Sequence, residues 1–238
     1  MEPLTSGDPS RIGTYQLLGR LGVGGMGRVY LGQSQSHRLV AIKVIKSDLL
    51  AEAADHLRAR FDREIAAIRK VSGFYTAAVV DSGVDDAGLP WLATAYVPAP
   101  SLAQIVAAGG PLPVQTVQWL AAGIAEALIS IHAAGVVHRD LKPSNVLVAS
   151  DGPRVIDFGI ARAIDDTRIT HGVLGTPAFM SPEQAIDTRK AGAASDVFSL
   201  GSTLVYAVTG RAPYHGSSPA NILLRLVSAE PDLTGIPP

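Results

Sequence analysis

One short stretch of the chain limits its fold and chemistry more than any other. It reads HRDLKPSN at residues 138–145 and is followed by DFG at residues 157–159. Asp140, Asn145 and Asp157 place two carboxylates and an amide close together along the chain. Mg²⁺ prefers oxygen ligands of this kind, and one carboxylate is left to accept a hydroxyl proton. A surface loop would match all of these positions only rarely.

The composition excludes several classes of protein. The 238 residues carry 20 Lys and Arg against 21 Asp and Glu, a net charge of -1. Such a balance offers no field to attract nucleic acid or an anionic membrane, so we expect no nucleic-acid partner. The absence of cysteine excludes disulfides, cysteine–zinc sites and thiol nucleophiles. The six histidines form no HExxH-type pair, so no zinc site is expected.

The low charge content raises the question of a membrane segment. Charged residues make up 17% of the chain, and residues 87–125 contain none. Several prolines and the pair Gly109-Gly110 interrupt that stretch before an apolar run of about 18 residues can form. The N-terminal sequence MEPLTSGDPS has early acids and no hydrophobic signal core. We therefore expect a soluble, cytoplasmic chain with no membrane segment.

The pattern along the chain predicts a small β-rich part, a hinge near residues 95–101 and a larger helical part. Strands are expected where short apolar runs are bounded by Gly or polar turns, and helices where apolar residues recur every three or four positions. The expected elements are strands at 15–21, 28–33, 39–45, 77–82 and 89–97, a helix at 48–71, helices at 114–134, 182–189, 195–209 and 218–228, and β-like pieces at 136–140, 145–149 and 153–158.

Between the first two expected strands lies a glycine cluster that reads Gly22, Val23, Gly24, Gly25, Met26 and Gly27. Glycine lets a hairpin turn tightly and brings backbone N–H groups close to phosphate oxygens. Taken alone, the cluster fits a mobile hairpin without a ligand equally well. A dinucleotide-binding fold would need a helix after the glycines, whereas RVYLGQ continues as a strand.

Lys43 lies within the apolar strand VAIK. Alone, it is explained most simply as an edge residue whose ammonium group reaches solvent. A phosphate-binding role requires a carboxylate partner, and Glu64 on the expected helix is the candidate. Glu52 and Asp55 are rivals nearer the start of that helix, where the helix dipole favours acids anyway.

Taken together, these motifs resemble the catalytic domain of the bacterial, eukaryotic-like serine/threonine protein kinases. GVGGMGRVYLG, VAIK, HRDLKPSN, DFGIARA and GTPAFMSPEQA occur in this order from about Tyr15 onward. The resemblance implies an α+β, bilobal kinase-like fold. We expect a loose leader at 1–14, a small antiparallel β-sheet N-lobe with one helix at 15–97, and a larger, mainly helical C-lobe at 98–238 that lacks the family's last helices.

The resemblance implies a phosphotransferase that uses Mg-ATP. Lys43 would grip the α- and β-phosphates and pair with Glu64. Asp140 would orient and deprotonate the acceptor hydroxyl, and Lys142 would steady the γ-phosphate. The metal ligands implied for Mg²⁺ are Asn145 and Asp157.

The resemblance also implies which residues enclose ATP. Ordinary core packing explains those around the adenine, among them Val29, Ala41 and Leu147, equally well. The residues implied to cover the phosphates or line the adenine slot are Gly22, Val23, Gly24, Gly25, Met26, Gly27, Val29, Ala41, Lys43, Thr94, Ala95, Val97 and Leu147.

Substrate choice and regulation follow from the same resemblance. Lys142 is typical of the serine/threonine form of the loop, and Thr176 would contact that loop, so the implied substrates are Ser and Thr hydroxyls of proteins. Arg139 can receive a phosphate from the following segment through charge-assisted hydrogen bonds. Thr170 is the first candidate phosphorylation site and Thr167 the second, although a polar loop residue is the alternative interpretation of Thr170.

Two departures from the family pattern change the expectations. Ala95 replaces the usual acidic residue and residues 98–100 offer no carboxylate to the ribose, so we expect modest nucleotide affinity. The sequence stops before the family's last helices, so we expect a truncated product in which Glu183 lacks its arginine partner. The same reasoning predicts that the helix at 218–228 exposes Ile222, Leu223, Leu226 and Val227.

Three functions remain open at this point. An active Ser/Thr kinase is favoured by the complete set of motifs. A catalytically impaired kinase-fold scaffold that binds nucleotide or protein partners is the alternative. A small-molecule phosphotransferase is disfavoured by the GTPAFMSPEQA segment, which resembles a peptide-binding platform. Whether the chain forms a dimer is also open.

Overall fold

The computed structural model describes residues 1–25, 27–45, 54–159 and 177–237, and the side chains of all of these except residues 54–60. The strands of this part are β1 (Arg11–Ile12), β2 (Tyr15–Gly24), β3 (Gly27–Gln33), β4 (Leu39–Ile45), β5 (Val79–Val84), β6 (Pro90–Ala95), β7 (Val146–Ala149) and β8 (Gly152–Val155). Its helices are α1 (Ala54–Ile68), α2 (Leu102–Gly109), α3 (Val114–Ala133), α4 (Pro182–Ile186), α5 (Ala193–Thr209) and α6 (Pro219–Ser228).

The N-terminal part is an antiparallel sheet in the order β1-β2-β3-β4-β6-β5, accompanied by α1. Side chains alternate between the two faces of a strand. On β4, Val40, Ile42 and Val44 are buried on one face. Ala41 and Lys43 face the opposite side, where they line a cleft. One strand therefore contributes both to the core and to the cleft wall.

Residues 1–14 differ from the loose leader that we expected. Glu2 forms an antiparallel bridge with Arg20, and β1 pairs with β2. Ile12 is buried and Leu4 is partly buried against the same apolar cluster, which lies on the outer face of the sheet. These two apolar residues, spaced among Pro, Ser and Gly, anchor a segment whose composition indicates a loop.

The C-terminal part is built around α3. The residues predicted to share one face of this helix, Val117, Leu120, Ile124, Leu128 and Ile131, are all buried in the larger core. Among the described residues, α3 is the one helix that is long and apolar enough to span a membrane by length and composition. Its buried face accounts for that composition, because α3 packs against α5 and β8.

Several elements differ from the sequence-based expectation. Residues 136–140 form a loop rather than a strand, with Arg139 in the left-handed region at φ 67°. The predicted helix at 182–189 is divided into α4 and a 3₁₀ turn at Thr188–Lys190. On α6, Leu226 is buried rather than exposed, Ile222 and Leu223 are half-buried, and Val227 is exposed as predicted.

Ile124→Ala should lower the free energy of unfolding by about 2–5 kcal/mol, because Ile124 is fully buried at the centre of α3 and the substitution leaves a cavity. Urea unfolding measures this loss. The matched control is Ile129→Ala on the same helix, where the side chain is 68% exposed and a change within about 0.5 kcal/mol is expected. Equal losses at the two positions would show that α3 does not pack as described.

Candidate active site

A cleft of about 580 Å³ lies between the sheet and the helical part. Its walls come from β2, β3, β4 and β6, from the segment that joins β6 to α2, and from the residues around β7. The lining residues are Met1, Leu21, Gly22, Val29, Ala41, Lys43, Leu92, Thr94, Ala95, Tyr96, Val97, Ala99, Ser101, Ala103, Gln104, Ser144, Asn145, Leu147, Ile156 and Asp157.

The structure brings most of the predicted nucleotide residues into this one cleft. Those in its wall are Gly22, Val29, Ala41, Lys43, Thr94, Ala95, Val97 and Leu147. Gly24, Gly25 and Gly27 form the end of the β2–β3 hairpin, and Val23 beside them is exposed. Met26 lies outside the described residues.

Ser101 and Gln104 also line the cleft, although the sequence analysis did not predict them as site residues. They form a capping box at the start of α2: the Ser101 N–H donates to Gln104 Oε1 at 2.8 Å, and the Gln104 N–H donates to Ser101 Oγ at 3.2 Å. The Ser-x-x-Gln spacing was the available signal. These two side chains place polar groups beside residues 98–100, where the sequence offered no carboxylate.

The HRDLKPSN segment forms a hydrogen-bonded cluster and lines the cleft through Ser144 and Asn145. Lys142 Nζ donates to both carboxylate oxygens of Asp140, at 3.0 and 2.8 Å. Asn145 Nδ2 donates to the Asp140 carbonyl at 2.8 Å and to its Oδ2 at 3.2 Å. Because these two bonds orient the amide nitrogen toward Asp140, Asn145 Oδ1 is the atom of this side chain that can accept a hydrogen bond or bind a cation.

A buried carboxylate holds this loop from below. Asp196, in the first turn of α5, accepts hydrogen bonds from the backbone N–H groups of His138 and Arg139, each at 2.8 Å. His132 Nε2 lies 2.7 Å from the same carboxylate, and since a carboxylate oxygen accepts, the imidazole donates. These bonds stabilise Arg139 in its left-handed conformation, which carries a conformational cost.

His138 supports the loop from within the core. Its side chain is fully buried, and burial lowers its pKa against the opposing effect of nearby carboxylates, so the ring is neutral at pH 7. The Asp140 N–H donates to His138 Nδ1 at 3.3 Å. Phe158 packs edge-on against the same ring. Phe158 therefore supports the ring that binds the Asp140 N–H group.

Lys43 reaches across the cleft to the DFG motif. Its Nζ lies 2.9 Å from Asp157 Oδ2. The pair with Glu64 that we expected is not among the ion pairs between described residues; Glu64 is half-buried on α1 and has an interaction of its own. Asp157, at φ 63°, projects its carboxylate to within reach of β4, where the Lys43 ammonium group contacts it.

Glu183 differs from our expectation of an unpaired carboxylate. The Ser195 hydroxyl, in the first turn of α5, donates a hydrogen bond to Glu183 Oε1. Burial alone would raise the pKa of Glu183, but hydrogen bonds from Ser195, from its own backbone N–H and from Ser181 outweigh that effect and lower the pKa. Ser195, which the sequence analysis did not single out, therefore gives the Glu183 carboxylate a hydrogen-bond donor.

Three further site residues, Thr176, Thr170 and Thr167, lie outside the described residues. Arg139, the predicted phosphate receiver, is tied to the region that follows them: its carbonyl accepts from Gln184 Nε2 at 2.8 Å. Gln184 belongs to α4 and is buried. A hydrogen bond thus connects the loop at residues 138–145 directly to the SPEQ segment at residues 181–184.

The residues in the cleft suit Mg²⁺ better than a transition metal. Among the described residues, no group of three or more His, Cys, Asp or Glu side chains could hold a metal ion. Asp157 and Asn145 offer oxygen atoms from the same wall. A magnesium ion that keeps several waters and binds phosphate oxygens needs only one or two such protein ligands.

The comparison with protein families identifies the class. The profile described as "Protein kinase domain" matches residues 15–230. The chain belongs to this family. In fold, it resembles the kinase domain of PknI from Mycobacterium tuberculosis, with a TM-score of 0.75 and 27% identity over 97% of this chain and 83% of that one. The bilobal α+β fold implied by the motifs is confirmed.

The similar curated proteins are bacterial serine/threonine kinases. The chain is 62% identical to the serine/threonine-protein kinase AfsK of Streptomyces griseus over all of this chain and 29% of that protein. It is 38% identical to the serine/threonine-protein kinase PknB of Mycobacterium leprae over 94% of this chain and 36% of that protein. The chain thus spans about a third of the length of these relatives.

Asp196→Asn should lower the free energy of unfolding by about 2–4 kcal/mol, because it weakens three hydrogen bonds to a buried charge. Chemical denaturation measures the change. The control is Asp62→Asn, an exposed position on α1, which should leave the midpoint unchanged. A stable Asp196→Asn variant would contradict the role of this carboxylate.

Glu183→Gln tests the lowered pKa of Glu183. A depressed pKa in the folded state stabilises the fold above the ordinary value of 4.5, and this stabilisation disappears as the pH falls through the folded-state pKa. The wild type should therefore exceed Glu183→Gln in stability at neutral pH, with a difference that vanishes under acid conditions. Denaturation across a pH series measures this, and a difference independent of pH would contradict the assignment.

Proposed function

We propose that the chain transfers the γ-phosphate of Mg-ATP to Ser and Thr hydroxyls of proteins. The observation that carries this proposal is the hydrogen-bonded cluster of Asp140, Lys142 and Asn145. Its Asn145 lines the same cleft as Lys43. The similarity to bacterial serine/threonine kinases supports the same reaction.

The upper part of the cleft would bind ATP. Val29 and Ala41 from the sheet and Leu147 from β7 offer apolar surfaces to the adenine ring. Thr94, Ala95 and Val97 line the linker side of the same slot. Gly22 to Gly27 would cover the phosphates, and Lys43 would supply their positive charge. Ser101 and Gln104 add polar groups at the mouth, where the ribose would lie.

Asn145 Oδ1 and the Asp157 carboxylate would hold Mg²⁺. When bound, the cation supplies charge neutralisation for the transferring phosphate. The structure favours this use of Asn145, because its amide nitrogen is already engaged with Asp140. Asp157 contacts Lys43 across the cleft, and both groups would lie beside the phosphates of a bound nucleotide.

Asp140 would take the proton of the acceptor hydroxyl while the hydroxyl oxygen bonds to the γ-phosphorus. The bond from that phosphorus to the β,γ-bridging oxygen breaks, and ADP leaves with the bond's electron pair. Lys142 contacts both carboxylate oxygens of Asp140 and would place a second positive charge beside the transferring group. Asn145 holds Asp140 through hydrogen bonds to the Asp140 carbonyl and carboxylate. Asp196 holds it through the backbone N–H of the preceding residue, Arg139. Positioning and charge compensation therefore account for most of the catalysis required.

Several finer features belong to the same proposal. The Ser/Thr preference rests on the resemblance of Lys142 and Thr176 to the serine/threonine form of the loop. Autophosphorylation at Thr170, with Thr167 as second candidate, would create a charge that Arg139 can bind. The domain would act in the cytoplasm, alone or as a dimer.

Asp140→Asn should lower kcat for a Ser/Thr peptide by at least about 100-fold, because the general base is lost. The dissociation constant of ATP should stay within about twofold, since Asp140 does not line the upper cleft. Peptide phosphorylation and calorimetry measure the two quantities. The control is Asp151→Asn at the surface turn between β7 and β8. Unimpaired turnover in Asp140→Asn would refute the assignment.

A further inference from the structure

We infer that Asp8 is a positioning residue for nucleotide binding, because it fixes both strands of the glycine-rich hairpin (residues 20–30) from the face opposite the cleft. This inference rests on the proposed function, since the hairpin matters only if it covers ATP phosphates. It concerns the N-terminal segment, which none of the kinase motifs includes.

Asp8 is a carboxylate with an unusual number of partners for a residue in an N-terminal segment. Its side chain is only 1% exposed. Thr5 donates to Oδ2 from its backbone N–H and its hydroxyl, each at 2.8 Å. Tyr30 donates its hydroxyl hydrogen bond to Oδ1, also at 2.8 Å. Burial at this level without such partners would strongly disfavour the charge.

Two guanidinium groups complete the site, and each comes from a different strand of the hairpin. Arg20 Nε, on β2, lies 3.6 Å from Asp8 Oδ2. Arg28 Nη1, on β3, lies 3.5 Å from Asp8 Oδ1. Arg20 and Arg28 therefore flank the glycine turn on its two sides, and one carboxylate attracts both. The hydrogen bonds from Thr5, with those from Tyr30 and the charge of Arg20, outweigh burial and lower the pKa of Asp8 to about 2, so the anchor stays charged at neutral pH.

The anchor and the cleft lie on opposite faces of the same two strands. Leu21, Gly22 and Val29 line the cleft. Arg28 and Tyr30 are the neighbours of Val29 along β3, and successive side chains point to opposite faces of a strand. Arg20 is paired directly across from Tyr30. Asp8 thus contacts the hairpin without approaching the nucleotide position.

The hairpin needs such an external anchor because it has few side chains of its own to pack. Four of its residues between Arg20 and Arg28 are glycines, which have the largest conformational freedom of any residue. The segment 1–12 also binds the backbone of Arg20, which exchanges hydrogen bonds with Glu2 at 2.9 and 2.8 Å. Asp8 and Glu2 together attach the N-terminal segment to the base of the hairpin on the outer face of the sheet.

Asp8→Asn tests the inference in two ways. Hydrogen–deuterium exchange of the peptide spanning residues 20–30, in the nucleotide-free protein, should become faster, with no change in peptides of α3. The KM for ATP should rise roughly tenfold while kcat and the KM for the peptide substrate change less than about twofold. A general loss of stability would not produce this split.

Two further variants make the result decisive. Arg28→Gln removes one guanidinium partner while leaving the segment 1–12 intact, and it should raise the KM for ATP without adding its full effect to that of Asp8→Asn. Asp86→Asn, an exposed carboxylate in the β5–β6 turn, should behave as the wild type in both measurements. This control matches the charge change in the same lobe.

The outcomes separate the inference from the proposed function. Unchanged exchange of residues 20–30 in both Asp8→Asn and Arg28→Gln would overturn the inference. Faster exchange with an unchanged KM for ATP would overturn its link to nucleotide binding. If the wild type bound no ATP, the proposed function would fail, while the exchange comparison would still decide whether Asp8 fixes the hairpin.

Discussion

The Asp196 carboxylate is the interaction on which the site depends. It sits in the first turn of α5 and accepts the backbone N–H groups of His138 and Arg139. These bonds help to offset the backbone cost of the left-handed Arg139. Asp140 follows directly, so its position relative to the cleft is set by a helix that never reaches the cleft itself. The loop around Asp140 is thereby attached to the packed helices α3 and α5.

A charge pair joins the two walls of the cleft, in addition to the apolar core that the sheet and the helical part share. Lys43 comes from β4 and Asp157 follows β8, and their contact bridges the space that ATP phosphates would occupy. This arrangement keeps an ammonium group and a carboxylate facing the cleft. On the outer face of the sheet, the buried Asp8 gathers the two arginines that flank the glycine turn. Ion pairs therefore hold the hairpin on the outer face of the sheet and connect the two walls within the cleft.

The fold was largely predictable because its elements have local signals: the apolar face of α3 and the alternation on β4 both follow from periodicity. The cleft residues were predictable because their motifs are strict in spacing. What could not be predicted depends on contacts between distant residues. Ser195 donates a hydrogen bond to Glu183 and Lys43 contacts Asp157, yet no local pattern predicts either contact. The packing of residues 1–14 was missed because two apolar residues outweigh a loop-like composition.

The most direct test is the intact mass of the purified chain after incubation with ATP, with and without Mg²⁺, followed by identification of the phosphorylated side chains. The account predicts phosphate on Ser or Thr residues only when Mg²⁺ is present, since Asn145 and Asp157 are the proposed ligands. A chain that unfolds cooperatively, binds ATP and still gains no phosphate would contradict it. The cluster around Asp140 would then serve a nucleotide-binding scaffold rather than a kinase.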